Sequence, residues 1–304
     1  MAKQFSKIGL IGLGVMGYGL GLNLAKNGYT VYANDVFQAS IDRMVAADPE
    51  HIIGVKDSCD ILKETNVVIT MVPNSPQVQE VIDKIFADES KIPADMIFID
   101  MSSISPVATR DIAKQMEAKH ITFVEGPVSG GQSGAMNGAL TIMAAGKKEA
   151  FDRVHEIFEA VGKNIIYCGE SGCGQAVKVA NQLMSAVNLV GMSEAFEMIT
   201  KYGVDPTIAM NVIKNGSGRC WAIEDRMPQI LKGNFQPGFK IDLHTKDIKL
   251  ATNMAESMNL PLPVTNLVAE LFKTAQNKGY GKLDNCAIIK LYEDLGGAEV
   301  RAKE

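Results

Sequence analysis

The chain has 304 residues, of which 46% are apolar and 21% are charged, as is typical of a globular protein with room for two domains. A net charge of −5, without a run of basic residues, argues against nucleic acid or an anionic membrane as a partner. The sequence contains neither an apolar run long enough to span a membrane nor a secretory signal, so we expect a cytoplasmic protein.

The cysteines and histidines form no recognisable metal-binding pattern. The five cysteines include no CxxC pair, and none of the four histidines belongs to an HExxH sequence. We therefore predict free thiols in a reducing compartment and no metal site.

The first strand–helix–strand unit has the spacing of a dinucleotide site. An apolar run at 7–12 enters a glycine-rich turn, a helical pattern follows, and the next strand, 29–35, ends in Asp35. In such a unit a pyrophosphate lies on the helix N-terminus and the acid accepts the ribose hydroxyls of NAD. Asp35 would repel the 2′-phosphate of NADP, and Val36 rather than an arginine follows it, so NAD is the predicted cofactor. The turn consists of Gly12, Leu13, Gly14, Val15, Met16 and Gly17.

Strands and helices continue to alternate as far as residue 125. Apolar strands are predicted at 67–72, 96–100 and 121–125, with helical patterns near 76–86 and 106–119. This alternation predicts an α/β Rossmann-type, doubly wound, mostly parallel sheet. Ligands of such sheets bind beyond the carboxyl ends of the strands. The residues expected there are Pro73, Asn74, Ser102, Ser103 and Gly126.

A glycine-rich loop at 126–135 follows the last of these strands. Its backbone N–H groups and the Ser129 hydroxyl would suit a carboxylate. A plain hairpin leading into a strand at 139–144 explains the same composition, and taken alone the composition favours the hairpin because such loops are common.

From about residue 169 strand patterns end, so we predict domains of 1–168 and 169–304, the second all-helical and joined through a long central helix. That helix, 172–202, is mostly apolar, yet Lys178, Asn181, Gln182 and Ser185 lie along one side. Burying an unpaired ammonium costs on the order of several kcal/mol, so Lys178 requires either a carboxylate partner or a ligand cavity. Further helices are predicted near 206–215, 221–231, 243–257, 263–277 and 285–295.

In this order the motifs resemble those of the β-hydroxyacid dehydrogenase family. The resemblance spans nearly the whole chain, through 12–17, Asp35, 71–74, 100–106, 126–131, 172–174 with Lys178 and Asn181, and 246–247. It implies an NAD-dependent oxidoreductase that transfers hydride between NAD(H) and a small β-hydroxy acid or semialdehyde bearing a carboxylate.

The same resemblance implies roles for individual residues. Lys178 would be the catalytic acid/base, a role that suits a buried lysine because burial lowers the pKa of an ammonium. The substrate would contact Ser129, Gly130, Gly131, Asn181 and Gln182. The cofactor would contact the turn at 12–17 together with Asp35, Val72, Pro73, Asn74, Ser103 and Lys246. Two departures stand out: Glu125-Gly126 replaces the usual aspartate and alanine, and Gln182 replaces an asparagine found in many members.

The sequence leaves the identity of the hydroxy acid substrate open. Asn181-Gln182 and the segment 237–244 look like tartronate semialdehyde reductases, whereas 217–219 looks like relatives that act on longer hydroxy acids such as threonate or 2-(hydroxymethyl)glutarate. A non-catalytic dinucleotide-binding module is a third interpretation, disfavoured by the presence of Lys178 and of the loop at 129–131.

Two further features of the helical domain are open to interpretation. Lys246 beside Asp247 is either a surface ion pair or a ligand contact. An apolar face on the helical domain would produce a homodimer or homotetramer.

Overall fold

The computed structural model describes residues 3–303. The chain divides into two compact units, Met1–Lys178 and Val179–Glu304. This division lies after Lys178, whereas the sequence suggests a boundary at residue 168. The difference arises because the first turn of the long helix bonds to the first unit. The Gln175 side chain accepts a hydrogen bond from the Ile104 N–H (3.1 Å) and donates one to the Ser102 carbonyl (2.8 Å).

The first unit is built on a mostly parallel sheet, which confirms the predicted fold class. Its strands are β1 (Lys7–Ile11), β2 (Thr30–Asn34), β3 (Ile52–Gly54), β4 (Val67–Thr70), β5 (Ile97–Asp100), β6 (Thr122–Glu125), β7 (Val128–Ser129), β8 (Leu140–Gly146) and β9 (Gly162–Tyr167). Their order is β3-β2-β1-β4-β5-β6-β8-β7, with β9 paired to β8. The pairs from β3 to β6 are parallel, and β8 runs antiparallel to β6 and β7. The carboxyl ends of β1, β2, β4, β5 and β6 therefore share one edge.

Helices cover both faces of this sheet, because successive strand side chains enter two separate apolar cores. The helices are α1 (Val15–Lys26), α2 (Gln38–Ala47), α3 (Ser75–Phe86), α4 (Pro106–Ala118), α5 (Gly131–Met136) and α6 (Lys148–Glu159). Leu10 of β1 lies in one core with Leu24 of α1 and Val154 of α6. Phe98 of β5 lies in the other core with Ile82 of α3.

The second unit is helical, as the sequence predicts. Its helices are α7 (Cys173–Tyr202), which begins in the first unit, α8 (Pro206–Ile213), α9 (Met227–Leu231), α10 (Ile241–Ser257), α11 (Pro263–Asn277) and α12 (Ile289–Gly296). A π-helical turn, Ala222–Arg226, precedes α9, and a 3-10 turn, Asn285–Ile288, precedes α12. Phe196 of α7 and Phe272 of α11 are fully buried in the core of this unit.

The mostly apolar composition of α7 alone predicts a buried helix, but α7 is not buried on all sides. Lys178 and Gln182 are 7% and 6% exposed, whereas Met184 and Met198 are 57% and 67% exposed. The apolar residues of α7 extend over more of its circumference than its neighbours in this chain cover. An apolar strip of the helix is therefore at the surface.

Within residues 3–303, none of the helices is both long and apolar enough to cross a membrane. In that same part of the chain, no group of three or more histidine, cysteine, aspartate or glutamate side chains is arranged to hold a metal ion. All five cysteines lie among the described residues and are free thiols there.

Candidate active site

Three glycines shape the turn between β1 and α1. Gly12 has φ of +97°, and a Cβ added there would lie 2.3 Å from the Met71 carbonyl oxygen. A Cβ added to Gly17 would lie 1.8 Å from the Gly12 oxygen, so helix and turn touch through backbone alone. At Gly14 an added Cβ would meet no described atom within 4 Å, and α1 has no side-chain cap there. An open helix N-terminus without a side-chain cap fits the pyrophosphate of a dinucleotide.

Asp35 lies directly after β2 and is bonded to this turn. One carboxylate oxygen accepts the Leu13 N–H at 2.6 Å, and the other accepts the Phe37 N–H at 2.9 Å. These two bonds fix the carboxylate beside the turn that the dinucleotide would approach. A carboxylate oxygen has lone pairs for more than one donor, so each can also accept a ribose hydroxyl.

Arg43 of α2 is a cation at the same turn that the sequence argument missed. Its guanidinium donates to the Leu13 carbonyl at 3.0 Å and lies 4.3 Å from the centre of the Tyr18 ring. Val36, the residue next to Asp35 in the sequence, carries no charge. The positive charge comes instead from the following helix, a tertiary contact that motif spacing does not contain.

The ends of β4 and β5 meet beside the glycine turn. The Val72 N–H donates to the Ser102 hydroxyl at 3.0 Å, which joins the two strand ends. Asn74 caps α3, because its side-chain oxygen accepts the Ser75 N–H at 2.9 Å. Pro73 is exposed and Ser103 is half-buried. The residues that the sequence predicts for cofactor contact therefore lie at this edge of the sheet. The Asn74 side-chain oxygen is already bonded to the start of α3.

The glycine-rich loop is more ordered than a plain hairpin. β7 pairs with β8, and α5 follows directly, with Gly130 at φ +133° and Gly131 at φ +61°. Helix α5 packs closely on α1, because the Asn23 side chain donates to the Ala135 carbonyl at 2.8 Å. The exposed start of α5 at Gly130 and Gly131 therefore has a fixed place relative to the dinucleotide turn.

The start of α7 is bonded to the end of β6 through Glu125. One oxygen of this fully buried carboxyl group accepts the N–H groups of Gly172 (2.8 Å) and Gly174 (2.9 Å). Desolvation raises the pKa of Glu125 to about 7, against the opposing effect of these N–H groups, and the charge of Asp100 adds to the rise. Lys178 follows one helical turn after Gly174 and is buried. Glu125 and Gln175 bind the start of α7 to the strand ends through polar contacts, and the sequence motifs did not include either residue in the site.

In the second unit, Asp247 holds the Gln182 amide. Its carboxylate accepts the Gln182 side-chain N–H at 2.6 Å, and the Gln182 oxygen accepts the Asn181 amide N–H at 3.1 Å. Lys246 lies 3.1 Å from the other Asp247 oxygen. Because Asp247 is only 3% exposed, this is not the surface ion pair that the sequence allows. Gln182 and Lys246 thus contact one buried carboxylate, and Asn181 is linked to it through the Gln182 amide.

A buried histidine extends this network into the unit. His244 is fully buried, and its Nε2 lies 3.0 Å from the Gln182 carbonyl oxygen while its Nδ1 lies 3.1 Å from the Asn285 amide nitrogen. A carbonyl accepts and an amide N–H donates, so these partners assign the neutral tautomer with the proton on Nε2. The Asn285 oxygen in turn accepts from the Arg226 guanidinium at 3.2 Å. This chain of contacts fixes the backbone that carries Gln182.

Models of two protein families match the two parts of the chain. The NAD binding domain of 6-phosphogluconate dehydrogenase matches residues 7–169. The NAD-binding domain of NADP-dependent 3-hydroxyisobutyrate dehydrogenase matches residues 172–292. The matched domains and the open turn at Gly14 both indicate a nicotinamide dinucleotide as the cofactor.

Individual relatives agree with these family models. The 2-(hydroxymethyl)glutarate dehydrogenase of Eubacterium barkeri is 35% identical over 97% of both chains. The 2-hydroxy-3-oxopropionate reductase of Escherichia coli (strain K12) is 35% identical over 94% of this chain and 97% of its own. A solved structure of Mycobacterium tuberculosis 3-hydroxyisobutyrate dehydrogenase with L-serine has a TM-score of 0.87 and 28% identity, covering 95% of this chain and 99% of that one. On these matches and on its fold, the chain belongs to the β-hydroxyacid dehydrogenase family of oxidoreductases.

Proposed function

We propose that this protein is an NAD-dependent dehydrogenase that interconverts a short β-hydroxy acid and its semialdehyde. The observation that carries the proposal is the placement of Lys178. It is 7% exposed and lies on the first turns of α7, in the same unit as the dinucleotide turn and the loop at 129–131. Membership of a dehydrogenase family supports the reaction class.

Lys178 is the proposed general acid and base. In oxidation its neutral amine takes the proton from the substrate hydroxyl, and in reduction its ammonium donates a proton to the carbonyl oxygen as negative charge develops there. When bound, the nicotinamide accepts or supplies the hydride. Lys178 therefore transfers only the proton. Its distance and orientation relative to the substrate oxygen determine the rate of that transfer.

The loop at 129–131 is the proposed anchor for the substrate carboxylate. Gly130 and Gly131 are exposed, have positive φ, and begin α5, so their N–H groups are accessible beside the Ser129 hydroxyl. We assign Asn181 to orienting the substrate. Gln182, which the sequence also places at the substrate, is proposed to act by holding the Asn181 amide, because both ends of its own amide are bonded within the protein.

A longer hydroxy acid is the alternative substrate. The 35% identity to 2-(hydroxymethyl)glutarate dehydrogenase over nearly the whole chain favours it as much as the equal identity to the 2-hydroxy-3-oxopropionate reductase favours the short one. The carboxylate anchor and Lys178 would serve either substrate. Substrate specificity therefore depends on the protein groups that contact the remainder of the hydroxy acid.

A substrate panel tests this proposal. Initial rates are measured with NADH and tartronate, methylmalonate or succinate semialdehyde, and with NAD and threonate or 2-(hydroxymethyl)glutarate. We expect the highest kcat/KM with tartronate or methylmalonate semialdehyde, whose reduction gives a β-hydroxy acid, and a lower value with succinate semialdehyde, whose reduction gives a γ-hydroxy acid. The highest kcat/KM with 2-(hydroxymethyl)glutarate selects the alternative, and binding of NADH without turnover of any acid contradicts the proposal in favour of a non-catalytic module.

We also propose that the protein is a homodimer or homotetramer. Met198 and Tyr202 of α7 are 67% and 88% exposed, and Ile208 and Val212 of α8 are 60% and 67% exposed. An apolar surface of this kind on one unit is typical of a subunit interface. Light scattering coupled to size exclusion would contradict the proposal if it gave the mass of one chain, 32.8 kDa.

A further inference from the structure

One carboxyl oxygen connects two backbone segments that are far apart in the sequence. The Glu125 oxygen accepts hydrogen bonds from Gly172 and Gly174, which lie on either side of the first residue of α7. Glu125 is itself the last residue of β6, and the buried segment 126–128 connects it to Ser129. The same side chain therefore bonds the helix of the proposed acid/base and adjoins the loop of the proposed carboxylate anchor.

Two glycines allow this close approach. Gly172 has φ of +94°, a conformation that side chains disfavour. A Cβ added to Gly174 would lie 2.2 Å from the Met143 carbonyl oxygen of β8 and 3.2 Å from the Glu125 oxygen. The backbone at the start of α7 therefore packs directly against the backbone of β8, so closely that only glycine fits at position 174.

The residue after Glu125 also has no room for a side chain. A Cβ added to Gly126 would lie 2.9 Å from the Phe158 ring. The backbone that leads from Glu125 to the loop at 129–131 therefore lies directly against Phe158.

The carboxyl group is kept at an energetic cost. Its second oxygen is buried and has no hydrogen-bond partner among residues 3–303. Burial of a carboxylate with an unsatisfied oxygen destabilises a fold, and such groups concentrate at functional sites. Asp100, the last residue of the neighbouring strand β5, pairs in register with Glu125 and adds a second negative charge nearby.

We propose that Glu125 is a positioning residue that holds Lys178 in register with the carboxylate-binding loop. Gly174 and Lys178 are four residues apart, so they lie on the same side of α7, one turn apart. A bond that fixes the Gly174 N–H therefore fixes the turn from which the lysine extends. This inference rests on the function proposed above, and it assigns Glu125 no contact with substrate.

The test compares three variants with the wild-type enzyme. Glu125→Leu removes the acceptor, Glu125→Gln keeps an oxygen at the same place without the charge, and Gly174→Ala keeps the carboxylate but displaces the helix start. We expect kcat to fall by about 100-fold in Glu125→Leu and Gly174→Ala, because a misplacement of about 1 Å costs that much. Glu125→Gln is expected to restore kcat to within about threefold of wild type, and KM for NADH is expected to change by less than about threefold throughout.

Thr65→Val is the matched control for a general loss of stability. Thr65 is also buried, and its hydroxyl bonds the Lys7 carbonyl (2.7 Å) and the Val67 N–H (3.0 Å) at the opposite edge of the sheet. We expect its kcat to equal that of the wild type. A kcat loss in Thr65→Val as large as in Glu125→Leu would show that loss of any buried bond suffices, and would overturn the specific role.

A double variant separates this inference from the proposed function. If Glu125 acts through Lys178, then adding Glu125→Leu to Lys178→Ala lowers the residual rate by less than about threefold. A second full loss, or wild-type kcat in folded Gly174→Ala, overturns the positioning role while leaving Lys178 in place. Wild-type kcat in Lys178→Ala itself overturns the proposed function. If Glu125→Leu does not fold, Glu125→Gln and Gly174→Ala decide the question in the same way.

Discussion

At the scale of single residues, cofactor choice depends on charges at one turn. The Asp35 carboxylate bonds the Leu13 N–H, and the Arg43 guanidinium bonds the carbonyl of the same residue. The two side chains have opposite effects on a 2′-phosphate, which the carboxylate repels and the guanidinium attracts. The proposed preference for NAD therefore requires the repulsion by the Asp35 carboxylate to outweigh the attraction by Arg43.

Replacing Asp35 by asparagine tests this balance. Asp35→Asn keeps an oxygen for the Leu13 N–H and removes the negative charge, so the ratio of kcat/KM for NADPH to that for NADH should rise by about tenfold or more. Initial rates with both cofactors measure the ratio. An unchanged ratio, or a wild-type enzyme that already prefers NADPH, contradicts the role given to Asp35.

Glu125 gives the stability of the first unit a defined pH dependence. Its pKa is raised from 4.5 to about 7 by burial, so the folded protein holds this proton more tightly than the unfolded chain. The resulting stabilisation is fully present below pH 4.5 and is lost as the pH rises through about 7. The shift corresponds to a contribution of up to about 3 kcal/mol.

Urea unfolding of wild type and Glu125→Gln at pH 5 and pH 8 measures this contribution. Between these two values the free energy of unfolding of the wild type should fall, relative to that of the variant, by up to about 3 kcal/mol. Equal pH dependence of the two proteins would show that Glu125 does not titrate in this range.

At the scale of elements, two glycines of the dinucleotide turn have different roles: Gly17 is required for the fold, and Gly14 for ligand binding. A Cβ at Gly17 would collide with the Gly12 oxygen, whereas a Cβ at Gly14, where φ is −62°, would meet no described atom. Gly17→Ala should therefore destabilise the fold by about 2 kcal/mol or more. Gly14→Ala should leave stability within about 1 kcal/mol but weaken NADH binding at least about tenfold, because its methyl group occupies the approach of the pyrophosphate.

Thermal unfolding and NADH fluorescence titration of both variants test this pair. Tight NADH binding by a stable Gly14→Ala protein would place the pyrophosphate elsewhere. A fully stable Gly17→Ala protein would show that the turn can move away from the helix.

Most of the elements predicted from the sequence have a clear pattern of apolar residues, although the amphipathic helix α6 is not among the predictions. β1, β4, β5 and β6 are mostly apolar, and α10 and α11 have regular apolar spacing. β9 gives no such signal, because Lys163 and Asn164 are exposed and Ile166 is 53% exposed. Helix α5 has six residues, two of them glycine, and owes its place to packing against α1 rather than to local preference.

At the scale of the whole molecule, motifs predict candidate site residues but not the contacts between them. The glycine turn, Asp35 and Lys178 are recognisable because their chemistry depends on short spacings. The bond from Glu125 to Gly174 spans 49 residues, and the bond from Gln182 to Asp247 spans 65. Such contacts arise from the order of strands and helices in space, so no local pattern predicts them.

The proton transfer assigned to Lys178 is the central claim, and replacement of this residue tests it most directly. Lys178→Ala should bind NADH with a Kd within about twofold of wild type, while kcat falls by about 1,000-fold, the usual range for loss of a general acid or base. Lys201→Ala is the matched control, because Lys201 lies on the same helix, is exposed and donates to the Gly296 carbonyl. Its kcat should equal that of the wild type. If Lys178→Ala turned over a β-hydroxy acid at the wild-type rate, the lysine would have no part in the chemistry and the proposed mechanism would be wrong.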